Sequence, residues 1–179
     1  MVRQVRICGF GGQGVVLAGV ILGEAAVLDG KWAAGASSYG AQARGGYARS
    51  DLVISDRPIV YPRVMEADLL VAMAQDAYDR YSEELAQGAL VIYEKGLVSP
   101  REMEAVRQVS IPATGLAIKE LDSRQAANMV MLGALVALSG VVSREALLRV
   151  IGERSGAFDE VNLKAAQLGF RLGEERWRS

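Results

Sequence analysis

A glycine-rich turn near the amino terminus is the strongest candidate for a chemical site in this sequence. Residues 9–14 read G-F-G-G-Q-G and lie between a short apolar run and a longer, helix-forming one. Glycines at this spacing let backbone N–H groups approach an anion closely, and a helix that begins there adds a partial positive charge at the same point. The motif therefore predicts a phosphate-binding turn. Its candidate residues are Gly9, Gly11, Gly12, Gln13 and Gly14.

The residues around this motif limit which phosphate ligand it could take. A dinucleotide-binding turn is followed about 20 residues later by an acidic residue that holds the ribose, and residues 30–50 contain no Asp or Glu. This argues against NAD, whereas Ser37, Ser38 and Arg44 could contact a 2′-phosphate. Positions 15–16 are valines where a P-loop needs Lys and Ser or Thr. Tight packing of a strand against a helix explains the glycines equally well.

A second motif, S-Y-G-A-Q-A-R-G-G at residues 38–46, combines an aromatic ring, a fixed positive charge and glycine hinges. Such a loop suits a phosphate-bearing ligand or a partner protein. A solvated surface loop is an equally weighted alternative. The candidate residues of the loop are Ser38, Tyr39, Gly40, Arg44, Gly45 and Gly46. Asn128, in an apolar helical run, is a secondary candidate, with a hydrogen-bonded core amide as the alternative.

The composition excludes several kinds of site. The 179 residues include 20 Lys and Arg, 21 Asp and Glu, one Cys and no His, and the net charge is -1. Without a basic excess, nucleic acid is not an expected partner. Cys8 alone cannot form an internal disulfide or a cysteine-ligated cluster, and a histidine-based triad or metal site is impossible. Most of the chemistry of an enzyme with this composition must come from a cofactor or another chain.

The apolar pattern predicts the elements that position these motifs. Strands are predicted over residues 5–8, 31–36, 47–55, 69–72, 90–93 and 106–111, with 59–61 returning as a hairpin partner of 47–55. Helices are predicted over residues 15–28, 75–87, 115–121, 124–138, 143–154 and 160–177. Gly30 and Gly88 are expected to end the first two helices, and residues 37–46 are expected to form a loop.

Strands that alternate with helices over the first two thirds of the chain indicate a three-layer α/β/α, Rossmann-like domain with a mostly parallel sheet containing a hairpin. A helical C-terminal region completes it, and we expect one domain over residues 1–179 with the helices of 143–179 packed on it. The two uncharged windows, 7–23 and 125–142, are interrupted by glycine or polar residues, which favours core helices over membrane spans. We expect a cytoplasmic protein with no membrane partner.

Five segments of the chain resemble the gamma subunit of the 2-oxoacid:ferredoxin oxidoreductases, of the pyruvate, 2-oxoglutarate or ketoisovalerate type. They read G-F-G-G-Q-G-V-V-L-A-G at 9–19, S-Y-G-A-Q-A-R-G-G at 38–46, I-S-D-R-P-I-V-Y-P at 54–62, A-D-L-L-V-A-M at 67–73 and N-M-V-M-L-G-A-L at 128–135. Together they cover nearly the whole chain in order.

The resemblance implies a role in an oxidative decarboxylation, in which a 2-oxoacid and coenzyme A give acyl-CoA, carbon dioxide and reduced ferredoxin. Thiamine diphosphate, Mg and iron–sulfur clusters would reside on alpha and beta subunits, with a delta or ferredoxin-like subunit as a further candidate. This chain would bind none of these cofactors alone. It would be a non-catalytic or gating subunit, inactive when isolated, that covers the active site with its 38–46 loop and helps to hold or gate coenzyme A. Positions 41–43 read A-Q-A where the family often has P-E-M.

Two other functions remain open from the residues alone. The glycine turn could serve a stand-alone oxidoreductase that binds NADP or flavin. Alternatively, both glycine motifs could serve packing and subunit docking without contacting a ligand.

Overall fold

A six-stranded sheet, in the order β2-β3-β1-β4-β5-β6, forms the centre of the chain. The computed structural model describes residues 1–39, 46–154 and 159–177. The strands are β1 (Val2–Phe10), β2 (Trp32–Tyr39), β3 (Tyr47–Ser55), β4 (Ala67–Ala72), β5 (Leu85–Glu94) and β6 (Arg107–Ile111). The helices are α1 (Val15–Leu28), α2 (Gln75–Tyr81), α3 (Ala113–Leu121), α4 (Ala127–Ser139), α5 (Arg144–Glu153) and α6 (Asp159–Trp177), with a 3-10 turn at Arg124–Ala126 before α4.

The strand directions confirm the predicted, mostly parallel sheet with a hairpin. β1, β4, β5 and β6 pair in parallel. Among the described strands, β3 alone runs opposite to the other five, since it is antiparallel to both β1 and β2. The carboxyl ends of β1, β2, β4, β5 and β6 therefore lie at one edge of the sheet, where loops of α/β proteins commonly bind ligands.

The hairpin is formed by β2 and β3, so the predicted strand at 59–61 is wrong. Prolines precede and follow that segment and supply no N–H donors for strand pairing. Ile59 packs against Val53 and Val64, while Val60 points outward with 96% of its surface exposed. The apolar residues of this segment therefore do not form a strand. Ile59 packs against its neighbours and Val60 faces the solvent.

Two further element predictions are corrected. The helix predicted over 75–87 ends at Tyr81, because Leu85 already pairs with Ala67 of the neighbouring strand. Gly88 lies within β5 at φ 76, where it donates its N–H to the carbonyl of Ala105, so it does not end a helix. Residues 37–39, expected in a loop, extend β2 by pairing with β3.

The two faces of the sheet carry different helices. Alternate side chains of β1 point to opposite faces: Val5 and Ile7 belong to the core shared with α1 and α4, whereas Cys8 packs with Leu70 and Tyr78 of the α2 side. α6 packs on α4 with its backbone in close approach, since a Cβ at Gly133 would lie 2.2 Å from the carbonyl oxygen of Ala166. None of the helices in the described ranges is both long and apolar enough to cross a membrane.

Cys8 provides a test of this core. Its side chain is fully buried, and burial raises the pKa of the thiol well above its ordinary value. In the unfolded chain the thiol ionises above about pH 8.5, while in the folded chain it keeps its proton. The contribution of Cys8 to the free energy of unfolding is therefore fully present below that pH and falls by roughly 1.4 kcal/mol per pH unit above it.

We expect Cys8 of the native chain to resist a thiol reagent at pH 8 and to react after unfolding in urea. Urea denaturation between pH 9 and 10.5 should show a shallower loss of stability for Cys8→Ala than for the wild type. Rapid labelling of the native chain, or parallel pH profiles for the two proteins, would contradict the burial of this thiol.

Candidate functional site

The turn between β1 and α1 has the geometry that its glycines predict. Gly12 has φ 90 and Gly14 has φ 72, values that L side chains rarely adopt. Gly14 is the N-cap of α1 and offers no side chain to cap it, and the first turn contains no acidic residue. Among the described residues, the first N–H groups of α1 have no intrahelical or side-chain partner, which favours an anion at this point.

Gln13 holds the turn together from inside. Its Oε1 accepts the N–H of Phe10 at 2.7 Å, and its Nε2 donates to the carbonyl of Met73 at 2.9 Å. A Cβ at Gly9 would lie 2.4 Å from this Oε1, so only glycine leaves room for the amide. Both polar ends of Gln13 are engaged within the protein, and its role here is to fix the turn to the end of β4.

Asn128, the secondary candidate, lies beneath the turn. Its Nδ2 donates to the carbonyl of Gly14 at 3.2 Å, and its Oδ1 accepts the N–H of Met129 at 2.8 Å. The side chain is buried. Asn128 therefore links the start of α4 to the start of α1 and supports the turn from the protein side.

The second motif meets the first at the same edge of the sheet. Ser38 and Tyr39 end β2, and the carbonyl of Gly46 accepts the N–H of Gly11 at 3.2 Å. The rings of Phe10 and Tyr47 stack with their centroids 6.0 Å apart. Gly40, Arg44 and Gly45 lie outside the described residues. The two motifs that sequence analysis singled out are thus joined by a backbone hydrogen bond.

A cavity of about 270 Å³ opens beside the turn. Its lining is mostly polar or small: Gly12, Gln13, Met73, Leu97, Thr114, Arg124, Gln125 and Ala127. Arg124 is exposed, and its guanidinium forms no hydrogen bond or ion pair with another described residue, although its carbonyl accepts the N–H of Ala127. α4 begins at the same cavity with no acidic residue in its first turn, although the N–H of Met129 there is already bonded to Oδ1 of Asn128. The guanidinium of Arg124 and two helix starts without an acidic residue make the cavity suitable for an anion.

Glu94 caps the start of α3 at this edge. Its Oε2 accepts both the N–H of Thr114 at 2.8 Å and the hydroxyl of Thr114 at 2.9 Å, and its Oε1 accepts the N–H of Gly96 at 3.3 Å. The carboxylate is almost fully buried. α3 is therefore already capped by a negative charge, which directs an incoming anion toward α1 and α4.

Sequence analysis missed Arg124 and Glu94 as parts of this site. Arg124 was placed inside a helix, and Glu94 is a single acid at the end of a strand. Neither carries a motif, and only the strand order brings them near the glycine turn. Among the described residues, no three His, Cys, Asp or Glu side chains are placed to hold a metal ion.

Comparison with known proteins gives consistent relatives. Residues 4–172 match the family described as pyruvate ferredoxin/flavodoxin oxidoreductase. The 2-oxoglutarate synthase subunit KorC of Methanocaldococcus jannaschii is 42% identical over 179 residues, covering 98% of this chain and 96% of that protein.

Two solved structures share the fold. The keto/oxoacid ferredoxin oxidoreductase gamma subunit of Geobacter sulfurreducens has a TM-score of 0.86 and 38% identity, covering 97% of this chain and 99% of that one. The 2-oxoglutarate:ferredoxin oxidoreductase of Magnetococcus marinus, solved with 2-oxoglutarate, coenzyme A and succinyl-CoA bound, has a TM-score of 0.88 and 26% identity. It covers 97% of this chain, which corresponds to 31% of the longer one. These findings confirm the predicted resemblance and fold class.

Proposed function

Because the chain belongs to the pyruvate ferredoxin/flavodoxin oxidoreductase family and is a subunit of a 2-oxoacid:ferredoxin oxidoreductase, we propose that its glycine turn and 38–46 loop hold coenzyme A at an active site shared with partner subunits. The observation that carries the proposal is the hydrogen bond between Gly11 and Gly46 beside the anion-suited cavity. This bond joins the last residue of the second motif to the glycine turn, which supports a shared role for the two motifs.

The chemistry of coenzyme A fits this edge. The molecule carries a pyrophosphate and a separate 3′-phosphate, so it needs at least two clusters of donors. The turn and the start of α1 supply backbone N–H groups for one of them. Arg124, and Arg44 from the loop, supply guanidinium groups for the other.

For the substrate, we propose 2-oxoglutarate. The full-length relative that is 42% identical bears the name of a 2-oxoglutarate synthase subunit, and the structural relative that contains this fold as part of a longer chain was solved with 2-oxoglutarate. The overall reaction would convert 2-oxoglutarate and coenzyme A to succinyl-CoA and carbon dioxide, with the electron pair passing to ferredoxin.

The reactive cofactors belong to the partners in this proposal. When bound, thiamine diphosphate stabilises the carbanion left by decarboxylation, and iron–sulfur clusters carry the electrons away. This chain has no histidine, and its one cysteine is buried in the core with a raised pKa. Its residues therefore do not fit a cluster, and its own contributions are to bind and orient coenzyme A and to cover the site. Alpha and beta subunits are the proposed partners, in the cytoplasm.

The assembled enzyme provides the test. Arg124→Gln and Arg44→Ala should each raise the apparent KM for coenzyme A about tenfold or more, the loss expected for one charge-assisted hydrogen bond to phosphate. The KM for 2-oxoglutarate should change much less. Arg149→Gln is the matched control, because Arg149 is an exposed helix arginine paired only with Glu153.

Two results would contradict the proposal. An unchanged KM for coenzyme A in both variants would remove Arg124 and Arg44 from its site and contradict the proposed binding. Turnover of a 2-oxoacid by the purified chain alone, with an artificial acceptor, would show that the reactive apparatus is not on partner subunits. A stand-alone oxidoreductase that binds NADP or flavin is not favoured, since the matched relatives are oxoacid:ferredoxin oxidoreductases and their subunits.

A further inference from the structure

A groove of about 530 Å³ lies on the face of the sheet opposite α1, away from the glycine turn. We call it the arginine groove. It is lined by Arg6, Ala36, Arg49, Asp51, Val53, Pro62, Arg63, Val64, Met65 and Glu84. α2 covers the neighbouring part of this face, over β1, β4 and β5. No helix of the described ranges covers the part over β2 and β3, where Ala36 is exposed.

A buried ion pair forms the floor of the groove. The Nε and Nη2 atoms of Arg6 donate to the two carboxylate oxygens of Asp51 at 2.8 and 3.1 Å, and its Nη1 donates to Glu84. Burial alone would lower the pKa of Arg6, but the hydrogen bonds and charges of these two carboxylates raise it. Arg6 is 2% exposed, so the carboxylates of Asp51 and Glu84 both pair with a guanidinium that is buried inside the protein.

Arg49 shares the carboxylate of Asp51 with Arg6. Its Nε lies 3.3 Å from Oδ2 of Asp51 in an ion pair, but this buried atom makes no hydrogen bond to another described residue. Its guanidinium lies 5.4 Å from the centre of the Tyr81 ring, which already faces Arg6 at 5.0 Å. With Arg63 also on the rim, three guanidinium groups line the groove against two carboxylates. The groove therefore carries a net positive charge and suits an incoming carboxylate.

Beside the groove, residues 59–65 form an apolar rim that is held in place. The N–H of Met65 donates to Oε1 of Gln4 at 2.7 Å, and Val64 is buried under the segment. Val60, Tyr61 and Met65 nevertheless point outward, 96%, 57% and 61% exposed. Apolar side chains displayed by an anchored segment next to a charged groove are typical of a protein interface.

We propose that the arginine groove and the 59–65 rim together dock an acidic segment of a partner subunit. A carboxylate of that segment would lie against Arg49 and Arg63, and a neighbouring apolar side chain would cover Val60 and Tyr61. A small anion could neutralise the arginines but would leave the rim exposed, so the combination of charge and apolar surface favours a polypeptide. The proposal rests on the proposed function only in taking the partner to be a subunit of the same enzyme.

Subunit association tests this docking surface directly. The purified chain is titrated against the remaining subunits of the enzyme, and the dissociation constant is measured at 50 and 300 mM NaCl (about 14 and 6 Å of Debye length). Val60→Asp and Arg63→Glu, both at exposed positions, should weaken association at least tenfold, and the wild-type dissociation constant should rise with salt. Ile118→Asp is the matched control: this residue is exposed on α3, beyond the opposite end of the sheet.

Five other outcomes would each contradict the docking of an acidic partner segment, or the function on which it rests, for a different reason. Equal affinities for wild type, Val60→Asp and Arg63→Glu would show that partners dock elsewhere. Binding of inorganic pyrophosphate that Arg63→Glu abolishes, with association unchanged, would indicate a small-anion site. Self-association of the isolated chain that Val60→Asp disrupts would identify a second copy as the occupant. Failure of the wild-type chain to join the other subunits would contradict the proposed function itself, whereas a loss confined to Ile118→Asp would contradict only this surface.

Discussion

Gly14→Val should destabilise the folded chain by about 3 kcal/mol, combining the strain of a left-handed backbone with overpacking. Gly14 has φ 72, and a Cβ at this position would lie 2.1 Å from Nδ2 of Asn128. The carbonyl of Gly14 also accepts the first hydrogen bond of α1, from Ala18. Displacement of the turn would therefore move the helix start that we assign to phosphate binding. Urea denaturation of the purified chain measures the first effect, and the KM for coenzyme A in the assembled enzyme measures the second.

A double-mutant cycle separates the clash from the backbone strain. Gly14→Ala should destabilise the wild type by at least about 1 kcal/mol more than it destabilises the Asn128→Ala variant. The reason is that this variant lacks the amide group that the new Cβ would clash with. About 1 kcal/mol of strain should remain in both backgrounds. Strictly additive effects would contradict the contact between Gly14 and Asn128.

Gly169→Val should destabilise the folded chain even more, because the atoms that its Cβ would contact are main-chain atoms, which cannot move aside as a side chain can. A Cβ at Gly169 would lie 2.1 Å from the carbonyl oxygen of Val130, 2.8 Å from the nitrogen of Ala134 and 2.9 Å from Cα of Gly133. All three are main-chain atoms of α4, so α6 must move away from it. We expect a loss of more than about 3 kcal/mol, at the upper end for overpacked cores. Thermal or urea unfolding of the purified chain measures it.

Gly115 supplies the matched control for Gly169. It lies in α3 with nothing within 4 Å of the place of its Cβ. Gly115→Ala should stabilise the chain by about 0.5–1 kcal/mol, and Gly115→Val should be close to neutral, since only helix propensity changes. Equal destabilisation by valine at positions 169 and 115 would show that α4 and α6 are not in backbone contact.

Sequence reasoning located elements best where the local pattern and the tertiary environment agree. The predicted bounds of α1 and β3 match the structure. In α1 an apolar run between glycines is also a buried helix, and in β3 the apolar end, residues 52–54, is buried in the sheet. The helix predicted over 75–87 was too long, since strand pairing between Leu85 and Ala67 overrides the local helical pattern. The strand predicted at 59–61 failed for the related reason that no neighbouring strand is available to pair with it.

The sequence predicted the two motifs of the candidate site but not how the fold brings them together. The two glycine motifs were found by their residue types, and the structure joins them through Gly11 and Gly46. Arg124 could not be found in the same way, because its position beside the turn depends on the order of strands in the sheet. The sequence also could not show that both polar atoms of the Gln13 side chain are hydrogen-bonded, to Phe10 and Met73. Such hydrogen bonds form only in the folded turn.

The hydrogen bond between Gly11 and Gly46 uses main-chain atoms only. Mutations that exchange side chains in residues 41–43 therefore leave both of its partners intact, and the segment can diverge in sequence while its end stays anchored.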